Sequence, residues 1–233
     1  MKLTAELLAH CDAVLNPLGD HELDLRGLKV NAIENLGVTR DLNDTIDFTD
    51  NDIRYLGNFP LLKRLQHVTA TNNHISRIDA QIHKQLPFLQ SLTLTNNAVA
   101  DFAQVAHLAR LRRLEYLALM GNPVSRKKHY REFVVWSVPS VRVLDYQRVT
   151  DREREHARSL MDDNGRPSAL AQELMSDVSA PHVPEAAEAD TRRPLTEQER
   201  GAIERAIERA QSLDEIRRLE DRLRLGYALD SLE

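Results

Sequence analysis

The sequence predicts an α/β solenoid: a curved parallel sheet with helical and apolar caps, and a flexible linker leading to a C-terminal helical segment. Three observations carry that prediction. A pattern of apolar residues closed by asparagine recurs between residues 23 and 149, its copies keep a nearly constant spacing, and the least regular copies stand at the two ends. A unit that cannot bury its own apolar face must stack on its neighbours, and such an array needs distinct terminal copies to close its core.

The pattern reads L-x-x-L-x-L-x-x-N-x-L. It is filled by Leu65, Val68, Ala70, Asn73 and Ile75, then by Leu89, Leu92, Leu94, Asn97 and Val99, then by Leu114, Leu117, Leu119, Asn122 and Val124. An earlier copy has Ile46, Phe48, Asn51 and Ile53, with Asn43 in its first slot. A more degenerate one has Leu23 and Leu25, with Leu28 in place of asparagine, and the last runs Val141, Leu144, Tyr146 and Val149. The asparagine slots at 28, 51, 73, 97, 122 and 149 are 23, 22, 24, 25 and 27 residues apart. Leucine-rich repeats have periods of roughly 20–29 residues.

Each position has a task. The L-x-L pair alternates on a short strand, so both apolar residues point into the solenoid while their neighbours face out. The asparagine side chain can bond backbone groups of the turn that follows, which would otherwise be stranded inside. Stacked copies then predict a ladder of Asn51, Asn73, Asn97 and Asn122.

Ahead of the repeats, residues 3–18 read as an apolar segment ended by Asn16-Pro17, with Thr4 as its N-cap. Behind them, His129–Trp136 reads as a short amphipathic helix before Pro139, and the lone tryptophan is expected to seal the last repeat. The strand VRVLDY and a charged helix from Thr150 to Met161 complete a domain spanning 1–161. Residues 162–195 hold Pro167, Pro181, Pro184 and Pro194 among many Ala, Glu and Asp, a linker composition predicting disorder over most of the segment, with a short helix at Ser168–Met175. Helix signals return over 196–226. Thr196 with Glu199 and Ser212 with Glu215 make capping boxes, Ile203, Ala206, Ile207 and Ala210 form an apolar stripe, and Gly226 is a stop. Helices this short are expected to form a hairpin or dock on a partner.

The 31 Lys and Arg against 36 Asp and Glu in 233 residues leave a formal charge of −5. Residues 1–164 hold 21 of each sign and residues 165–233 hold 10 basic and 15 acidic, so the tail carries the whole excess. That balance excludes a protein that binds nucleic acid by uniform positive charge. No apolar run approaches the roughly 20 residues of a bilayer span. The opening MKLTAELLAHCD lacks the apolar stretch of a secretory signal, and the single cysteine, Cys11, cannot form an internal disulfide. A soluble intracellular protein without membrane contact is expected. No phosphate-cradling glycine loop, H-E-x-x-H or CxxC motif is present, and the nine histidines show no ligand spacing. No catalysis, cofactor or metal is expected.

The concave sheet of a solenoid is its natural binding surface. By register its outward residues are Glu22, Asp24 and Arg26; Thr45, Asp47 and Thr49; His67, Thr69 and Thr71; Ser91, Thr93 and Thr95; Tyr116, Ala118 and Met120; and Val143, Asp145 and Gln147. The face is graded from acidic, through small and hydroxyl-rich, to apolar. Glu22, Asp24, Arg26, Asp47, Thr49, His67, Thr69, Thr71, Thr93, Thr95, Tyr116 and Met120 are the expected partner contacts. The small hydroxyl residues leave room for a helix roughly 10 Å across. Basic residues cluster at Arg110, Arg112 and Arg113 and again at 126–131, where Arg126, Lys127, Lys128 and Arg131 are candidate phosphate contacts to RNA. There is no aromatic platform of the RRM kind, so the chain would not read bases by itself.

Four blocks are particular: MKLTAELL at 1–8, ELDLRGLKVNAIENLG at 22–37, DTIDFTDNDIRYLGNFPLLKRL at 44–65 and GNPVSRKKHYREFVVWSVPSVRVLDYQRV at 121–149. With them the chain resembles the A-prime family of the spliceosomal U2 small nuclear ribonucleoprotein over 1–160, and more loosely at 195–223. The resemblance implies a non-catalytic nuclear scaffold in pre-mRNA splicing. Its concave face would grip a helix of an RRM protein of the B-double-prime type, and the pair would bind a U2 small nuclear RNA stem-loop, with RNA reached mainly through that partner. It also implies tail contacts to other spliceosomal proteins, although the short, acidic, lysine-free tail departs from the family pattern. Repeats of this length also resemble leucine-rich regulators of protein phosphatases, which form longer arrays. A regulatory subunit of an enzyme is therefore the alternative.

Overall fold

The computed structural model describes residues 1–11, 13–163 and 165–176. The elements run α1 (Ala5–His10), β1 (Ala13–Leu15), β2 (His21–Asp24), β3 (Thr45–Asp47), β4 (Tyr55–Leu56), β5 (His67–Thr69), β6 (Arg77–Ile78), α2 (Ile82–Gln85) and β7 (Ser91–Thr93). They continue through α3 (Phe102–Ala106), β8 (Tyr116–Ala118), α4 (Tyr130–Ser137), β9 (Val143–Leu144), β10 (Gln147–Arg148), α5 (Asp151–Met161), β11 (Asp162–Asp163), β12 (Arg166–Pro167) and α6 (Ala169–Ser176).

One sheet has the order β1-β2-β3-β5-β7-β8-β9-β10. Pairing is parallel from β2 to β9, and an antiparallel hairpin closes each end. The apolar alternation sets the register: Leu23, Ile46, Val68, Leu92, Leu117 and Leu144 are successive Cα partners, and all are buried. Slipping a strand by one residue would turn its share of that row to solvent. Leu25, Phe48, Ala70, Leu94 and Leu119 fill the second apolar position, also buried.

The asparagine ladder is present, but its bonds run to the preceding repeat and to carbonyls two or three residues earlier in its own, rather than to the turn that follows. Asn73 Oδ1 accepts the Ile53 N–H at 3.1 Å, and its Nδ2 donates to the Phe48 carbonyl at 2.9 Å. Asn51 engages Val30 and Leu25 in the same way, Asn97 engages Ile75 and Ala70, and Asn122 engages Val99 and Leu94. Adjacent strands lie only about 4.8 Å apart, so an inward carboxamide reaches the neighbouring copy as easily as its own turn. Each asparagine therefore fastens two repeats together.

The N-terminal cap combines a helix and a hairpin. Thr4 Oγ1 accepts the Leu7 N–H at 3.2 Å to start α1. The apolar segment then becomes β1, and Asn16 Oδ1 closes its hairpin by accepting the Leu18 and Asp20 N–H groups, both at 3.0 Å. At the other end α4 buries Tyr130, Phe133, Val134 and Val135, and half-buried Trp136 meets Phe133 edge-on at 5.8 Å between centroids. A reciprocal capping box between Thr150 and Glu153 begins α5. The predicted strand VRVLDY shortens to Val143–Leu144, because Asp145 and Tyr146 take left-handed backbone, φ 52° and 62°, and turn the chain back into β10.

The folded body continues past Met161, where composition predicts a linker. Asp162–Asp163 and Arg166–Pro167 form a hairpin. Ser168 Oγ then donates to the Leu160 carbonyl at 2.9 Å and accepts the Ala171 N–H at 3.2 Å, which starts α6. That helix packs on α3 and α5 with Ala171 buried. Pro167 precedes the helix, so it interrupts no helical bond. The short helix expected at Ser168–Met175 is thus present as α6, docked on the domain, and the linker reading is corrected at 162–167, where a hairpin stands. Residues 177–195 and the predicted helical segment 196–226 lie outside the described residues. Among the described residues no helix is long and apolar enough to cross a membrane.

Candidate functional site

The sheet lays the predicted outward residues in rows. Glu22, Thr45, His67, Ser91, Tyr116 and Val143 are successive Cα partners, as are Asp24, Asp47, Thr69 and Thr93, followed by Ala118. Backbone bonds carry a third row past the strand ends. The Asp50, Asn72 and Asn96 N–H groups donate to the carbonyls of Thr71, Thr95 and Met120, and Gly27 N–H donates to Thr49. The twelve expected contacts therefore share one face, with Arg26 at its first edge.

The first end of that face is acidic as expected, with part of its charge paired internally, and the far end differs from the expectation. Arg26 Nη2 lies 2.7 Å from Asp24 Oδ2, and its Nε lies 3.7 Å from Asp47 Oδ2. The hydrogen bond from Arg26 holds the Asp24 carboxyl below the usual carboxylate range. Glu22 accepts from Asn16 Nδ2 at 3.2 Å. The end thus holds one arginine among three carboxylates: Asp24 and Asp47 share it, and the end stays net negative. In the middle, Thr45 is only 8% exposed, and the buried hydroxyls of Thr45 and Thr95 have no hydrogen-bond partner.

At the far end Tyr116 meets Tyr146 edge-to-face, 5.7 Å between centroids at 77°. Tyr146 is 62% exposed and Met120 46%. Strand alternation assigns Tyr146 to the core, but its left-handed backbone turns it out beside Tyr116. No glycine or turn dipeptide marks the reversal, so the sequence held no signal for it. Two left-handed non-glycine residues cost roughly 1–2 kcal/mol each. Asp145 holds them by accepting the Leu119 N–H at 2.7 Å and the buried Tyr130 hydroxyl at 2.8 Å. Burial, followed by contact with Tyr146 and the Asp145 charge, pushes the Tyr116 hydroxyl up to about 12.

The basic segment divides. Arg126 ends a 3-10 turn, Pro123–Arg126, and is exposed, as is Lys128. Lys127 is half-buried, with Nζ 5.7 Å from the centre of the Phe102 ring. Arg131 is committed to the fold: its Nε lies 2.7 Å from Glu153, and it donates to the Leu144 and Arg148 carbonyls at 3.3 and 3.4 Å. Among the described residues no group of His, Cys, Asp and Glu is arranged to hold a metal ion.

A parallel sheet fastened by an asparagine ladder, capped at both ends and presenting a graded concave face, defines a leucine-rich-repeat protein. A leucine-rich-repeat family model matches residues 1–175. The U2 small nuclear ribonucleoprotein A′ of Mycosarcoma maydis is 53% identical over 97% of this chain and 99% of its own. That of Schizosaccharomyces pombe is 41% identical over 97% and 98%, and that of Homo sapiens 48% identical over 69% and 63%. Among solved structures, a chain of the Drosophila melanogaster SNF/U2A′ complex superposes with a TM-score of 0.70 at 36% identity, covering 76% of this chain and 99% of that one. The chain belongs to the U2 small nuclear ribonucleoprotein A′ family.

Proposed function

We propose that this chain is a non-catalytic scaffold of the U2 small nuclear ribonucleoprotein, acting in the nucleus in pre-mRNA splicing. Its concave face grips a helix of an RRM partner of the B-double-prime type, and the pair binds a U2 small nuclear RNA stem-loop more specifically than the partner does alone. The observation that carries the reading is the face itself: rows of Thr and Ser along the middle of the sheet, bounded by the Arg26–Asp24–Asp47 cluster at one end and Tyr116, Tyr146 and Met120 at the other. Small side chains make the middle shallow enough for a helix, and the aromatic end offers an anchor of the kind that dominates interface energies. The partner of the Drosophila chain in the SNF/U2A′ complex supports the same reading. Arg126 and Lys128 are the exposed cations through which this chain would touch RNA phosphates, and the tail beyond residue 176 is the proposed contact to other spliceosomal proteins.

The test is a pull-down of the full chain against the RRM protein, with and without U2 stem-loop RNA. Binding to the protein, weak binding to RNA alone and stronger retention with both supports the scaffold reading. Failure to bind the RRM protein, together with co-purification of a phosphatase, would favour a regulatory subunit instead.

A further inference from the structure

We propose that the corner of the concave face framed by Tyr116, Tyr146 and Asp145 is a seat for a cationic side chain, an arginine or lysine, of the protein held in the groove. The inference rests on the groove being the partner's site, and specifies what that partner must present at one end.

Among the described residues, the ion pairs of the face leave an unpaired carboxylate at this corner. Asp24 and Asp47, the acids that sequence alone would match to a basic partner, already face Arg26 at 2.7 and 3.7 Å. Asp145 accepts only from neutral donors, the Leu119 N–H and the Tyr130 hydroxyl, and makes no ion pair among the described residues. The nearby cations Arg131 and Arg142 are turned to Glu153 at 2.7 Å and Glu115 at 3.8 Å. Arg148, the strand partner of Val143, is exposed at the same edge, yet Asp145 itself stays outside any ion pair among the described residues.

The rings add a second attraction for the same ligand. In an edge-to-face pair, the ring contributing its edge keeps both faces unstacked by the other, and an aromatic face carries negative potential. Tyr146 is largely exposed, so the pair is open to an incoming group. A guanidinium or ammonium here would meet a ring face and the field of Asp145 together, while its aliphatic stem lies along the rings. The backbone supports a built feature: two consecutive non-glycine residues hold left-handed conformations, and the side chain that this exposes is Tyr146. Such strain persists where the surroundings over-determine it, and it concentrates at binding sites.

Titration calorimetry of the full chain with the RRM protein, at low and at physiological salt, separates the possibilities. Tyr146→Phe keeps the ring face and is expected to bind like the unaltered chain. Tyr146→Leu keeps apolar bulk without the ring and is expected to bind roughly two- to thirty-fold more weakly. Asp145→Asn keeps an acceptor for Leu119 and removes the charge, with a loss in the same direction that shrinks as salt rises. Thermal melts check that each variant folds. Unchanged affinity for Tyr146→Leu makes the corner an apolar anchor and overturns the cation seat, as does a Tyr146→Phe loss equal to that of leucine. If the unaltered chain does not bind the RRM protein at all, the groove reading fails and the seat fails with it.

Discussion

Asn97 donates from Nδ2 to the Ala70 carbonyl at 2.7 Å and accepts the Ile75 N–H on Oδ1 at 2.9 Å, so one side chain bridges two repeats. It also donates within its own repeat, to the Leu94 carbonyl at 3.1 Å. All these groups are buried, and none could regain a partner from solvent. Asn97→Ala is expected to lower the free energy of unfolding by about 2–4 kcal/mol, since a buried group left unpaired costs roughly 1–3 kcal/mol. Urea denaturation measures it. A loss below about 0.5 kcal/mol would show that the ladder is incidental to stability.

A second, exposed ladder runs beside the first. Asn72 Nδ2 donates to Asp50 at 2.8 Å, and Asn96 Nδ2 donates to Asn72 at 2.9 Å. The next residue in this series, Gly121, has φ 75°, and a Cβ there would clash with Asn96 Oδ1. Gly121→Ala is therefore expected to destabilise by about 1–3 kcal/mol, through left-handed strain and the clash together. Adding Asn96→Gly relieves the clash but not the strain, so only part of the loss should return in melting experiments.

The contact between Arg131 and Glu153 predicts a pH dependence with a definite sign. The Arg131 hydrogen bond is the main cause that takes the Glu153 carboxyl from its ordinary 4.5 to about 2. A carboxylate depressed in the folded state contributes stability above its unfolded pKa and loses it as pH falls through the folded one. Glu153→Gln should therefore melt below the unaltered chain at pH 7, and the gap should narrow as pH drops from 4.5 towards 2. A gap constant across that window would mean that the pair's charge adds nothing.

The two ends of the concave face should respond differently to substitution. Tyr116→Ala is expected to weaken partner binding by about 1 kcal/mol or more, as loss of an aromatic anchor does. Asp24→Asn should cost less than about 0.5 kcal/mol, because its charge is already matched by Arg26 and exposed pairs contribute little. Calorimetry with the RRM partner checks both. Equal losses would restore the acidic end as a recognition element.

The repeat was legible because its physics is periodic. Leu92 and Leu94 must face inward, Ser91 and Thr93 must face out, and Asn97 must close the unit, so the residues of one copy give the register of all. The central rows of the face followed directly from it. What the pattern could not show lies where periodicity stops. Tyr146 leaves the alternation through a left-handed turn held by Tyr130 and Asp145, a contact across fifteen residues. Arg26 and Asp24 look like opposite charges on one strand, and only the folded strand shows them joined with Asp47 across the sheet. The sequence reads 162–167 as linker and 168–175 as a short helix within it, and what it could not show is that Ser168 and the buried Ala171 fasten that helix to the domain.

The middle of the concave sheet is the proposed seat of the partner. Thr69 lies on β5, between Asp47 and Thr93 along its row, whereas Gln81 is exposed outside the sheet at the start of α2. Calorimetric titration of the RRM protein into Thr69→Arg and Gln81→Arg places the same bulk and charge in the groove and away from it. Affinity lost by about a hundredfold or more in Thr69→Arg, with Gln81→Arg unchanged, is expected if the groove holds the partner. Thr69→Arg binding as tightly as the unaltered chain would contradict it.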